Sequence, residues 1–548
     1  MNPDGTTRGW NRAQARERLE RDAWDVVVVG GGVTGAGVAR DAALRGLSVA
    51  LVEAGDWASG TSSRTTKFAH GGLRYLEHLD LDLVRAALAE RAILLSIAPH
   101  LARPVPFLIP AVRGNLPLWK MRAGLALYDA LAAGARLGRH RILEAEQARA
   151  HEPLLPADGL EGAGLYGDCL IRDARLVIET VADARRAGAV AASRLAVRDV
   201  ERWDEGWLGD VEDRRDGSRF TLRGTVWVNA TGPWSDRLRR FAAPGSSTIL
   251  EPTKGIHVVL PWTSVPVRDP VALTAADGRL VFAVPEGAWS YVGTTDTRDG
   301  GDVDDLGAPE GDVEYLLSVL RSALEVDPGV ADVAGAWAGW RPLIRTEEDD
   351  PSAIPRDEAI EETAPGFLTV AGGKLTTYRR MAEETVDRAL DLLGRRTGPC
   401  VTAARPLVPP VADGSGPPRG VAPEDVARVR ELFGPDAGRV FAEWARDPES
   451  AEPLADGFAW SAAEVRRASL EMVETLEDLV DRRLSFLPGG QPIPAEGLAR
   501  AARTAARLLG WDERRRRDEV ARFRDRETGR PSAPFDGLRR QATDSPPP

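Results

Sequence analysis

A glycine-rich turn between two apolar runs constrains the fold of this chain more than any other feature. The first run, Asp25 to Val29, is rich in valine, is followed by glycine and is too short for a helix, as expected for a buried parallel strand. It leads into Gly30, Gly32 and Gly35, spaced as G-x-G-x-x-G, and then into an alanine-rich helical segment. A second short strand ends in Glu53. Strand, glycine turn, helix, strand and terminal acid within about 30 residues predict a βαβ unit that binds an adenine dinucleotide.

Each part of this unit has a physical role in holding a dinucleotide. Gly30 allows the tight turn, Gly32 lets the backbone approach a pyrophosphate, and Gly35 lets the helix pack on the strand. The helix N-terminus offers N–H groups and the positive end of its dipole to the phosphates. Glu53 is placed to accept hydrogen bonds from ribose hydroxyls. An acid rather than an arginine at this position argues against a 2′-phosphate, so the sequence predicts FAD or NAD.

Length and composition limit the remaining possibilities. A chain of 548 residues exceeds the usual single-core size, so we expect two or three domains. A net charge of −12 argues against a nucleic-acid partner, which normally requires a basic surface. The two cysteines, Cys169 and Cys400, make neither a disulfide framework nor a metal site, which suits a reducing cytoplasm. No apolar run approaches the ~18 residues of a membrane span, and the first 22 residues lack the apolar core of a signal peptide.

Two later strands also end in glycine-containing turns. The run from Thr225 to Val228 precedes a turn that contains Ala230, Gly232 and Trp234. A short apolar run from 367 to 371 leads into Gly372-Gly373-Lys374 and then into a helix. This repeats the strand, glycine, helix order of the N-terminal unit. We therefore expect these turns to face the same cofactor.

The segment from 60 to 77 carries side chains suited to ligand contact. Small hydroxyl residues beside a phosphate-binding turn can hydrogen-bond a pyrophosphate, glycines can bring the backbone close to a flat ring, and cationic or phenolic side chains can reach a charged ligand. The residues of these three kinds are Thr61, Ser62 and Ser63; His70, Gly71 and Gly72; and Arg74 and Tyr75.

Several motifs together carry a family resemblance. They are VVGGGVTGAG, TSSRTTKFAHGGLRYLE, DARLV, NATGPW, KGIHVVL, VGTTD, GWRPL, PRD and GGKLTTYR, in this order from about residue 22 to 395, followed by TLEDLVDRR and LLGWDE in the helical tail. The chain resembles the FAD-dependent glycerol-3-phosphate dehydrogenase family, within the wider D-amino-acid-oxidase-like flavoproteins. The resemblance covers nearly the whole chain, and HGGLRYLE and GGKLTTYR are specific to it.

The resemblance implies a reaction and a substrate site. The reaction is oxidation of sn-glycerol 3-phosphate to dihydroxyacetone phosphate, with FAD as cofactor and a hydride passing from C2 to flavin N5. Carried over by position, Arg341 and Arg356 would hold the substrate phosphate, because planar guanidinium groups suit phosphate oxygens. The other substrate contacts that it implies are Arg74, Tyr75 and Lys374.

His257 is the better candidate, among six histidines, for the base that accepts the C2 hydroxyl proton. It begins a strand in a motif that the resemblance places beside the substrate. The predicted catalytic set is His257, Arg341 and Lys374. Two alternatives stay open: His257 as a structural core histidine, and the phosphate arginines engaged in surface ion pairs. The acids available for such pairs are Glu347, Glu348 and Asp357.

The glycine motif and the resemblance together define the predicted cofactor contacts. These are Gly30, Gly32, Gly35, Glu53, Thr61, Ser62, Ser63, Lys67, His70, Gly71, Gly72, Ala230, Gly232, Trp234, Gly373, Leu375 and Thr376. The chain departs from the family pattern at Trp340 and Glu358, beside the phosphate arginines, where a smaller residue and an aromatic are common.

The predicted fold class is α/β, with a Rossmann-like FAD-binding domain, an interleaved antiparallel-sheet substrate domain and a helical C-terminal domain. Residues 1–22 are predicted to be a flexible arm with a short helical piece around Gln14 to Leu19, and residues 23–404 to form the FAD-binding domain interleaved with the substrate-binding domain. The proline- and glycine-rich residues 405–423 are predicted to be a linker, residues 424–525 the helical domain, and residues 526–548 a disordered tail.

The electron acceptor distinguishes the rival functions. We expect electrons to leave the flavin for a membrane quinone; the alternative is an oxygen-using glycerol-3-phosphate oxidase, or another 2-hydroxyacid or amine oxidase of the superfamily. A phosphate-free substrate would not require Arg341 and Arg356 together. A non-enzymatic flavin-binding assembly or sensor protein would not require Lys374 and these arginines to converge on one cleft.

A quinone-linked enzyme must reach the bilayer, and one segment has the form required. Leu118 to Arg141 is predicted to be a basic amphipathic helix, with Met121 and Leu125 on its apolar face. Its basic residues are Lys120, Arg122, Arg136, Arg139 and Arg141. We therefore expect peripheral contact with the inner face of the cell membrane, against the alternative of an ordinary helix packed on the FAD domain. The sequence leaves open whether the chain forms a homodimer.

Overall fold

The computed structural model of the chain describes residues 11–78, 80–114, 116–132, 134–135, 137–298, 302–305, 307–345, 358–409, 416–487 and 492–528. The α-helices are α1 Arg12–Arg21, α2 Val33–Leu44, α3 Leu81–Ile97, α4 Leu118–Leu131, α5 Ala145–His151, α6 Asp173–Arg186, α7 Ser235–Ala242, α8 Glu310–Ala323, α9 Tyr378–Leu393, α10 Pro423–Phe433, α11 Ala437–Arg446, α12 Ala462–Ser469, α13 Ala495–Leu509 and α14 Glu513–Thr528.

The strands are β1 Ala23–Val29, β2 Val49–Val52, β3 Phe68–Ala69, β4 Ala102–Val112, β5 Arg141–Glu144, β6 Leu160–Ile171, β7 Val190–Ala192, β8 Leu195–Trp203, β9 Gly206–Asp213, β10 Arg219–Asn229, β11 Thr253–Pro261, β12 Val271–Thr274, β13 Leu280–Glu286, β14 Trp289–Gly293, β15 Gly335–Arg341, β16 Glu358–Ala364, β17 Phe367–Gly372, β18 Pro453–Ala455 and β19 Phe458–Ser461. The run predicted as a strand from Thr225 to Val228 is the end of a longer strand, β10, which begins at Arg219.

The first sheet is centred on β1 and has the order β16-β17-β10-β1-β2-β7, extended by β9 and β8. From β17 to β7 the strands are parallel. The valines of β1 alternate between two cores. Val26 and Val28 pack among residues of α2, α6 and α9, whereas Val27 and Val29 pack on the opposite face. Burial on both faces explains why this strand is a continuous apolar run.

The second sheet has the order β15-β11-β14-β13-β12-β4-β6-β3, with β5 on β6. It is antiparallel except where β12 meets β4. Its strands come from two stretches, residues 68–171 and 253–341, that alternate along the chain with strands of the first sheet. The predicted interleaving of a Rossmann-like sheet with an antiparallel sheet is therefore confirmed.

The C-terminal helices α10 to α14 pack around a core of their own, together with the β18–β19 hairpin. A capping box stands at the start of α12. The Glu464 N–H donates to Ser461 Oγ at 3.3 Å, and the Ser461 N–H donates to Glu464 Oε2 at 2.8 Å. The helical character predicted for this part of the chain is confirmed. Among the described residues, no helix combines the length and apolarity needed to cross a bilayer.

The N-terminal arm is a correction. Residues 12–21 form α1, which packs on the first sheet through the fully buried Leu19. Arg12 is also buried, and its Nη1 donates to Asp213 Oδ2 at 2.8 Å. These contacts, some 200 residues away in sequence, hold a segment that local composition marks as mobile. The predicted mobility is wrong for residues 11–22, whereas the helical piece predicted around Gln14 to Leu19 is present. Residues 1–10 lie outside the described residues.

The linker and tail boundaries also change. Leu407 is fully buried, and its N–H donates to Ile97 O at 2.9 Å. The segment 405–409 therefore packs against the domain that precedes it and is not a free linker. Residues 410–415 lie outside the described residues. At the other end, α14 continues to Thr528, so the predicted tail begins later than 526. Residues 529–548 also lie outside the described residues.

Helix α4 corrects the predicted membrane segment. The helix ends at Leu131, and Arg141 begins β5 instead. Met121 and Leu125 are buried against β6, where a side chain at Gly164 would come within 2.6 Å of both. The apolar face predicted to contact lipid is therefore packed on protein. The large hydrophobic side chains that α4 exposes are Trp119 and Leu127, which are 72% and 37% exposed.

Candidate active site

The glycine turn has the geometry that dinucleotide binding requires. Gly30 has φ +114°, and a Cβ there would overlap the carbonyl of Ala230. A Cβ at Gly35 would overlap the carbonyl oxygen of Gly30, so only glycine lets α2 approach the turn this closely. At Gly32 a Cβ would meet only Ser62 Oγ, at 3.1 Å. The backbone is therefore open on the side from which a pyrophosphate would approach the helix N-terminus.

Glu53 stabilises the glycine turn through hydrogen bonds to two backbone N–H groups. Its Oε2 accepts a hydrogen bond from the Gly31 N–H at 2.6 Å, and its Oε1 accepts one from the Gly55 N–H at 2.5 Å. Burial raises the pKa of the Glu53 carboxyl, while these two N–H donors act in the opposite direction. Each carboxyl oxygen keeps a second lone pair for a ribose hydroxyl. The predicted ribose contact stays a prediction, and the structure adds a supporting role.

Other predicted cofactor residues lie around the same turn. Ser62 Oγ accepts a hydrogen bond from the Val33 N–H, in the first turn of α2, at 2.9 Å. Ala230 follows β10, and its N–H donates to Val29 O at 2.9 Å, beside the glycine turn. Trp234 ends the short helical turn that begins at Gly232, and its Nε1 donates to Asp304 Oδ1 at 2.7 Å. Their predicted contacts with the cofactor stay predictions.

A cavity of about 620 Å³ lies between the second sheet and the loops that follow β2 and β17 of the first sheet. Its wall unites predicted residues that are widely separated in sequence. They are Thr61, His70, Gly72, Arg74, Tyr75, His257, Arg341, Gly373, Lys374, Leu375 and Thr376. Arg356 lies outside the described residues, so its predicted role stays a prediction. The wall thus contains the whole predicted catalytic set, His257, Arg341 and Lys374.

The cavity wall carries several cations. Arg64, Arg74, Lys120, Arg341 and Lys374 line the wall. In the described part of the chain, the wall contains a single acidic residue, Asp168, and Arg91 Nη1 donates to its Oδ1 at 2.9 Å. The wall therefore carries an excess of positive charge, which suits an anionic ligand.

Arg341 ends β15 and is held in place by β14 and the residues after it. Its Nη1 lies 3.1 Å from Asp296 Oδ1, and its Nη2 donates at 2.9 Å to Thr294 Oγ1 and to Thr295 O. The acids that sequence offered as surface partners, at 347, 348 and 357, lie outside the described residues. The ion pair that the structure records is with Asp296, which orients the guanidinium group at the cavity wall.

Lys374 and Tyr75 are in contact with each other at the cavity wall. Gly372 and Gly373 have φ values of +74° and +75°, so the chain turns sharply and presents Lys374 beside the ring. The ammonium nitrogen lies 3.8 Å from the centre of the Tyr75 ring, in the range of a cation–π interaction. Arg74 precedes Tyr75 in the helical turn Leu73–His78 and also lines the cavity. Arg74, Lys374 and the phenol of Tyr75 therefore all lie on the wall of this cavity.

His257 is buried on β11 with its imidazole at the cavity wall. Its ring stacks on Trp337, with centroids 4.7 Å apart and an interplanar angle of 11°. Nε2 lies 3.0 Å from Thr66 Oγ1, while Nδ1 is buried and has no hydrogen-bond partner among the residues that the structure describes. Burial lowers the pKa of His257 well below its usual value, and the charges of Arg341 and Lys67 lower it further. The ring is therefore neutral and able to accept a proton.

Lys67, Ser63 and Gly71 do not reach the cavity wall. Lys67 is 1% exposed, and its ammonium donates to Asp173 Oδ1 at 2.9 Å and to Ser63 O at 3.1 Å. Gly71 faces the opposite way, where a Cβ would overlap the Tyr128 hydroxyl. Other protein groups hold these residues, and their predicted contacts with the cofactor stay predictions.

Several residues of the site were not predicted. Thr66 and Trp337 hold the His257 ring, and Asp296 holds Arg341. Thr66 and Asp296 lie inside motifs that carry the resemblance, so their position was a usable signal; Trp337 gave none. Trp340, by contrast, faces away from the cavity: its Nε1 donates to Asp305 O at 2.9 Å. The departure from the family pattern at this position therefore leaves the cavity wall unchanged.

The far end of the cavity is apolar. Its wall includes Phe68, Phe107, Ile109, Met121, Leu125 and Phe282. Phe68 packs edge-on against both Phe107 and Phe282, with ring centroids 5.0 and 4.9 Å apart. Leu127 of α4 also lines the cavity and is 37% exposed, so the apolar end opens towards solvent beside this helix.

Comparisons with known proteins agree with this geometry. A family model described as FAD dependent oxidoreductase matches residues 25–388. Glycerol-3-phosphate dehydrogenase 2 of Mycobacterium tuberculosis is 35% identical over 95% of this chain and 92% of that protein. An alpha-glycerophosphate oxidase of Streptococcus pyogenes is 32% identical over 79% of this chain and 83% of that protein. A solved glycerol-3-phosphate dehydrogenase from Bacillus halodurans, complexed with FAD, superposes with a TM-score of 0.75 at 28% identity, covering 95% of this chain and 97% of that one.

The open glycine turn, the α2 N-terminus and the adjoining cavity fit a dinucleotide with a flat ring system. The sequence left FAD and NAD as alternatives for the glycine motif, and the family match decides for FAD. The match also extends beyond the Rossmann-like part, because the relatives align through the helical C-terminal domain. The chain therefore belongs to the FAD-dependent glycerol-3-phosphate dehydrogenase family of oxidoreductases.

Proposed function

We propose that this protein oxidises sn-glycerol 3-phosphate to dihydroxyacetone phosphate. The observation that carries the proposal is the meeting of Arg74, Arg341 and Lys374 with the neutral His257 on the wall of one cavity. A phosphate dianion needs several cations, and an alcohol needs a base for its proton. Both requirements are satisfied by residues within this cavity.

The substrate phosphate would bind to the cations of the cavity wall. Arg341 is fixed by Asp296 and by two threonine oxygens, so its guanidinium group is oriented before the substrate arrives. Such preorganisation lowers the entropy cost of binding. Lys374 and Arg74 add charge from the other side of the cavity. A phosphate dianion would gain more from several cations on one cavity wall than a simple hydroxyacid or amine would, and this supports a phosphorylated substrate.

The C2 hydroxyl proton would pass to His257. Its pKa is lowered by burial, so the imidazole is neutral at neutral pH. Stacking on Trp337 fixes the plane of the ring, and Thr66 fixes its rotation. Bound FAD supplies the acceptor, flavin N5, for the hydride that leaves C2. Lys374 lies beside the same cavity and is the second candidate for a proton-accepting or positioning role.

Electrons would leave the site for a membrane quinone. The apolar end of the cavity provides a surface suited to an apolar acceptor, and its opening lies beside α4. This helix exposes Trp119 and Leu127 together with Lys120 and Arg122, a combination suited to the headgroup region of an anionic bilayer. We place the protein on the inner face of the cell membrane, with this outer face of α4 towards the lipid.

Oxygen is the second candidate acceptor. The similarity to an alpha-glycerophosphate oxidase of Streptococcus pyogenes favours it, since that relative is 32% identical over most of its length. The phosphate and base residues would have the same roles in either case. The two functions differ only in what accepts the electrons afterwards.

One assay separates these functions. Purified protein is mixed with sn-glycerol 3-phosphate and a soluble quinone analogue, with and without oxygen, and dihydroxyacetone phosphate and hydrogen peroxide are both measured. A quinone-linked dehydrogenase forms the product in both conditions with little peroxide. An oxidase forms one peroxide for each product molecule and needs no quinone. Absence of dihydroxyacetone phosphate under every condition would contradict the proposed reaction.

A further inference from the structure

Two buried arginines of the C-terminal domain reach into the dinucleotide-binding unit. Arg482 and Arg483 belong to the helical turn Asp478–Leu484, and their side chains are 4% and 0% exposed. Both bind the carboxylate of Asp56, which is itself fully buried and lies shortly after β2. Arg482 Nε donates to Asp56 Oδ2 at 2.5 Å, and Arg483 Nη2 donates to Asp56 Oδ1 at 2.9 Å. The partners are more than 420 residues apart in sequence.

Asp56 belongs to residues 53–58, here named the support loop, which lies under the glycine turn. Trp57 is fully buried, and a Cβ at Gly31 would come 2.5 Å from its ring. The Ala58 N–H donates to Gly31 O at 3.0 Å, and the Gly31 N–H donates to Glu53. The support loop therefore contacts Gly31 through the Trp57 ring and through two hydrogen bonds, one donated by Gly31 and one accepted by it.

A second connection joins the same two regions. Asp478 of the C-terminal domain is fully buried and accepts hydrogen bonds from Arg482 Nη2 at 2.7 Å and from Arg194 Nη2 at 2.6 Å. The Arg194 N–H in turn donates to Gly55 O at 2.9 Å. The support loop is thus held by the C-terminal domain from two sides, through Asp56 and through Arg194.

The charge balance makes this connection strong. Asp56 is removed from solvent, and the two arginines supply its compensating charge. Removing either arginine takes one positive charge from the buried cluster that includes Asp56 and Asp478, so its negative charge is no longer fully compensated. The support loop would then have to shift until Asp56 reached water, and Trp57 would move away from Gly31. That shift would disturb the turn that receives the pyrophosphate.

We propose that Arg482 and Arg483 are positioning residues for FAD. By compensating Asp56 they hold the support loop against Gly31, and the helical C-terminal domain is in this way a required part of the cofactor site. The inference concerns cofactor affinity and does not depend on which substrate is oxidised or which acceptor is used.

The test uses the full-length chain and measures FAD affinity directly. Apoprotein of the parent, R482M and R483M is titrated with FAD, and binding is followed by flavin fluorescence. Methionine keeps much of the side-chain volume and removes the charge. We expect the dissociation constant to rise at least about tenfold in each variant. Amide hydrogen exchange of residues 53–58 should become faster in the same variants.

R428M is the matched control. Arg428 pairs with the fully buried Glu464 inside the C-terminal domain, with Nε to Oε1 at 2.9 Å, so its loss breaks a comparable ion pair without touching the support loop. FAD affinity should stay within about twofold of the parent in R428M. Equal weakening in R428M and R483M would overturn the proposal, because the effect would then be general destabilisation of the domain.

A loop variant completes the test. D56N keeps both arginines and changes only the support loop, and it should weaken FAD binding by about the same factor as R483M. If the arginine variants do not yield folded protein, the FAD affinity of D56N alone tests the proposal. Unchanged FAD affinity in D56N or in R483M would overturn the proposal, whatever the substrate activity of the protein.

Discussion

Burial and two nearby cations keep His257 neutral, and this determines how it can act. Its ring is enclosed by Trp337, Thr66 and Gly293, and the nearest charges are those of Arg341 and Lys67. Desolvation and these cations all disfavour the imidazolium form. The same Arg341 that would bind the substrate phosphate therefore also helps to keep the base unprotonated. Substrate phosphate would offset part of that charge when it binds.

The pH dependence follows from this lowered pKa. The parent protein should keep its rate of flavin reduction as pH falls through 6.5, the ordinary value for histidine, and lose it only at lower pH. The same shift makes the folded state less stable as pH falls below about 6.5, because the unfolded chain then binds a proton that the folded chain does not. Stopped-flow flavin reduction and thermal unfolding across this range measure the two effects.

Replacing His257 tests its role as base. His257→Ala should slow flavin reduction by ~10²-fold or more and remove the acidic limb of the pH profile. His151→Ala is the control, since His151 is 30% exposed and pairs with Asp269 away from the cavity. Near-normal reduction by the His257 variant would contradict the assignment and move the proton-accepting role to Lys374.

Arg341 should contribute mainly to phosphate recognition. Arg341→Ala should cost on the order of 2–4 kcal/mol, a fall in kcat/KM of about 30- to 1,000-fold, while FAD stays bound. Arg198→Ala is the matched control, because Arg198 forms an exposed ion pair with Glu212 on β8 and β9. We expect the same loss for Arg356→Ala on the basis of its motif. Equal turnover of glycerol and glycerol 3-phosphate by the parent would contradict the role.

At the scale of secondary-structure elements, α4 links the apolar end of the cavity to the surface. Its inner face is fixed by Tyr128, whose hydroxyl donates to Asp168 Oδ2 at 3.1 Å, and by the packing of Met121 and Leu125 on β6. Asp168 in turn accepts from the Gly71 N–H at 3.3 Å. The helix is thus attached to the loop that carries Arg74. Only its outer face remains available for lipid.

The proposed membrane contact is tested on that outer face. Changing Trp119 to alanine and Lys120 and Arg122 to glutamine should weaken sedimentation with anionic liposomes, at about 1 kcal/mol per basic residue. Added salt should weaken binding of the parent in the same direction. Arg198→Gln with Arg219→Gln, two exposed arginines of the first sheet, is the control of equal charge change. Unchanged binding of the α4 variant would show that another surface meets the membrane.

Elements with local signals were predictable from the sequence, and contacts between distant elements were not. The β1–α2–β2 unit was recognisable because Gly35 needs its small size to pack against Gly30 in the same unit, whereas the carbonyl that crowds Gly30 belongs to the distant Ala230. The apolar stripe of α4 was visible too, but whether it faces lipid or protein depends on the small residue at 164 on β6. The pairing of Lys67 with Asp173 is of the same kind, since it joins residues 106 apart.

At the scale of the whole molecule, two interleaved sheets both contribute to the site and the helical domain supports it from outside. The dinucleotide turn belongs to the first sheet, whereas His257 and Arg341 belong to the second. Because the chain alternates between the sheets, a ligand that bridges them should stabilise both. The predicted arm, α1, adds to this assembly through Arg12 and Leu19.

FAD should therefore stabilise the folded protein and be released when it unfolds. Purified protein should be yellow, and acid or heat should free all of the flavin, because no covalent attachment is predicted. Excess FAD at about 100 times its dissociation constant should add about 2.7 kcal/mol to the free energy of unfolding. Calorimetry of apo- and holoprotein measures this shift. Flavin that stays with the denatured chain would contradict non-covalent binding.

The most direct test of the central claim is anaerobic reduction of the bound flavin by sn-glycerol 3-phosphate, with no added acceptor. Loss of the visible flavin absorbance then reports the first half of the reaction alone, independently of quinone, oxygen or membrane. We predict rapid and complete reduction by sn-glycerol 3-phosphate, and little or none by glycerol, a simple 2-hydroxyacid or an amino acid at the same concentration. Flavin that stays oxidised with sn-glycerol 3-phosphate, or that is reduced equally well by a phosphate-free substrate, would contradict it.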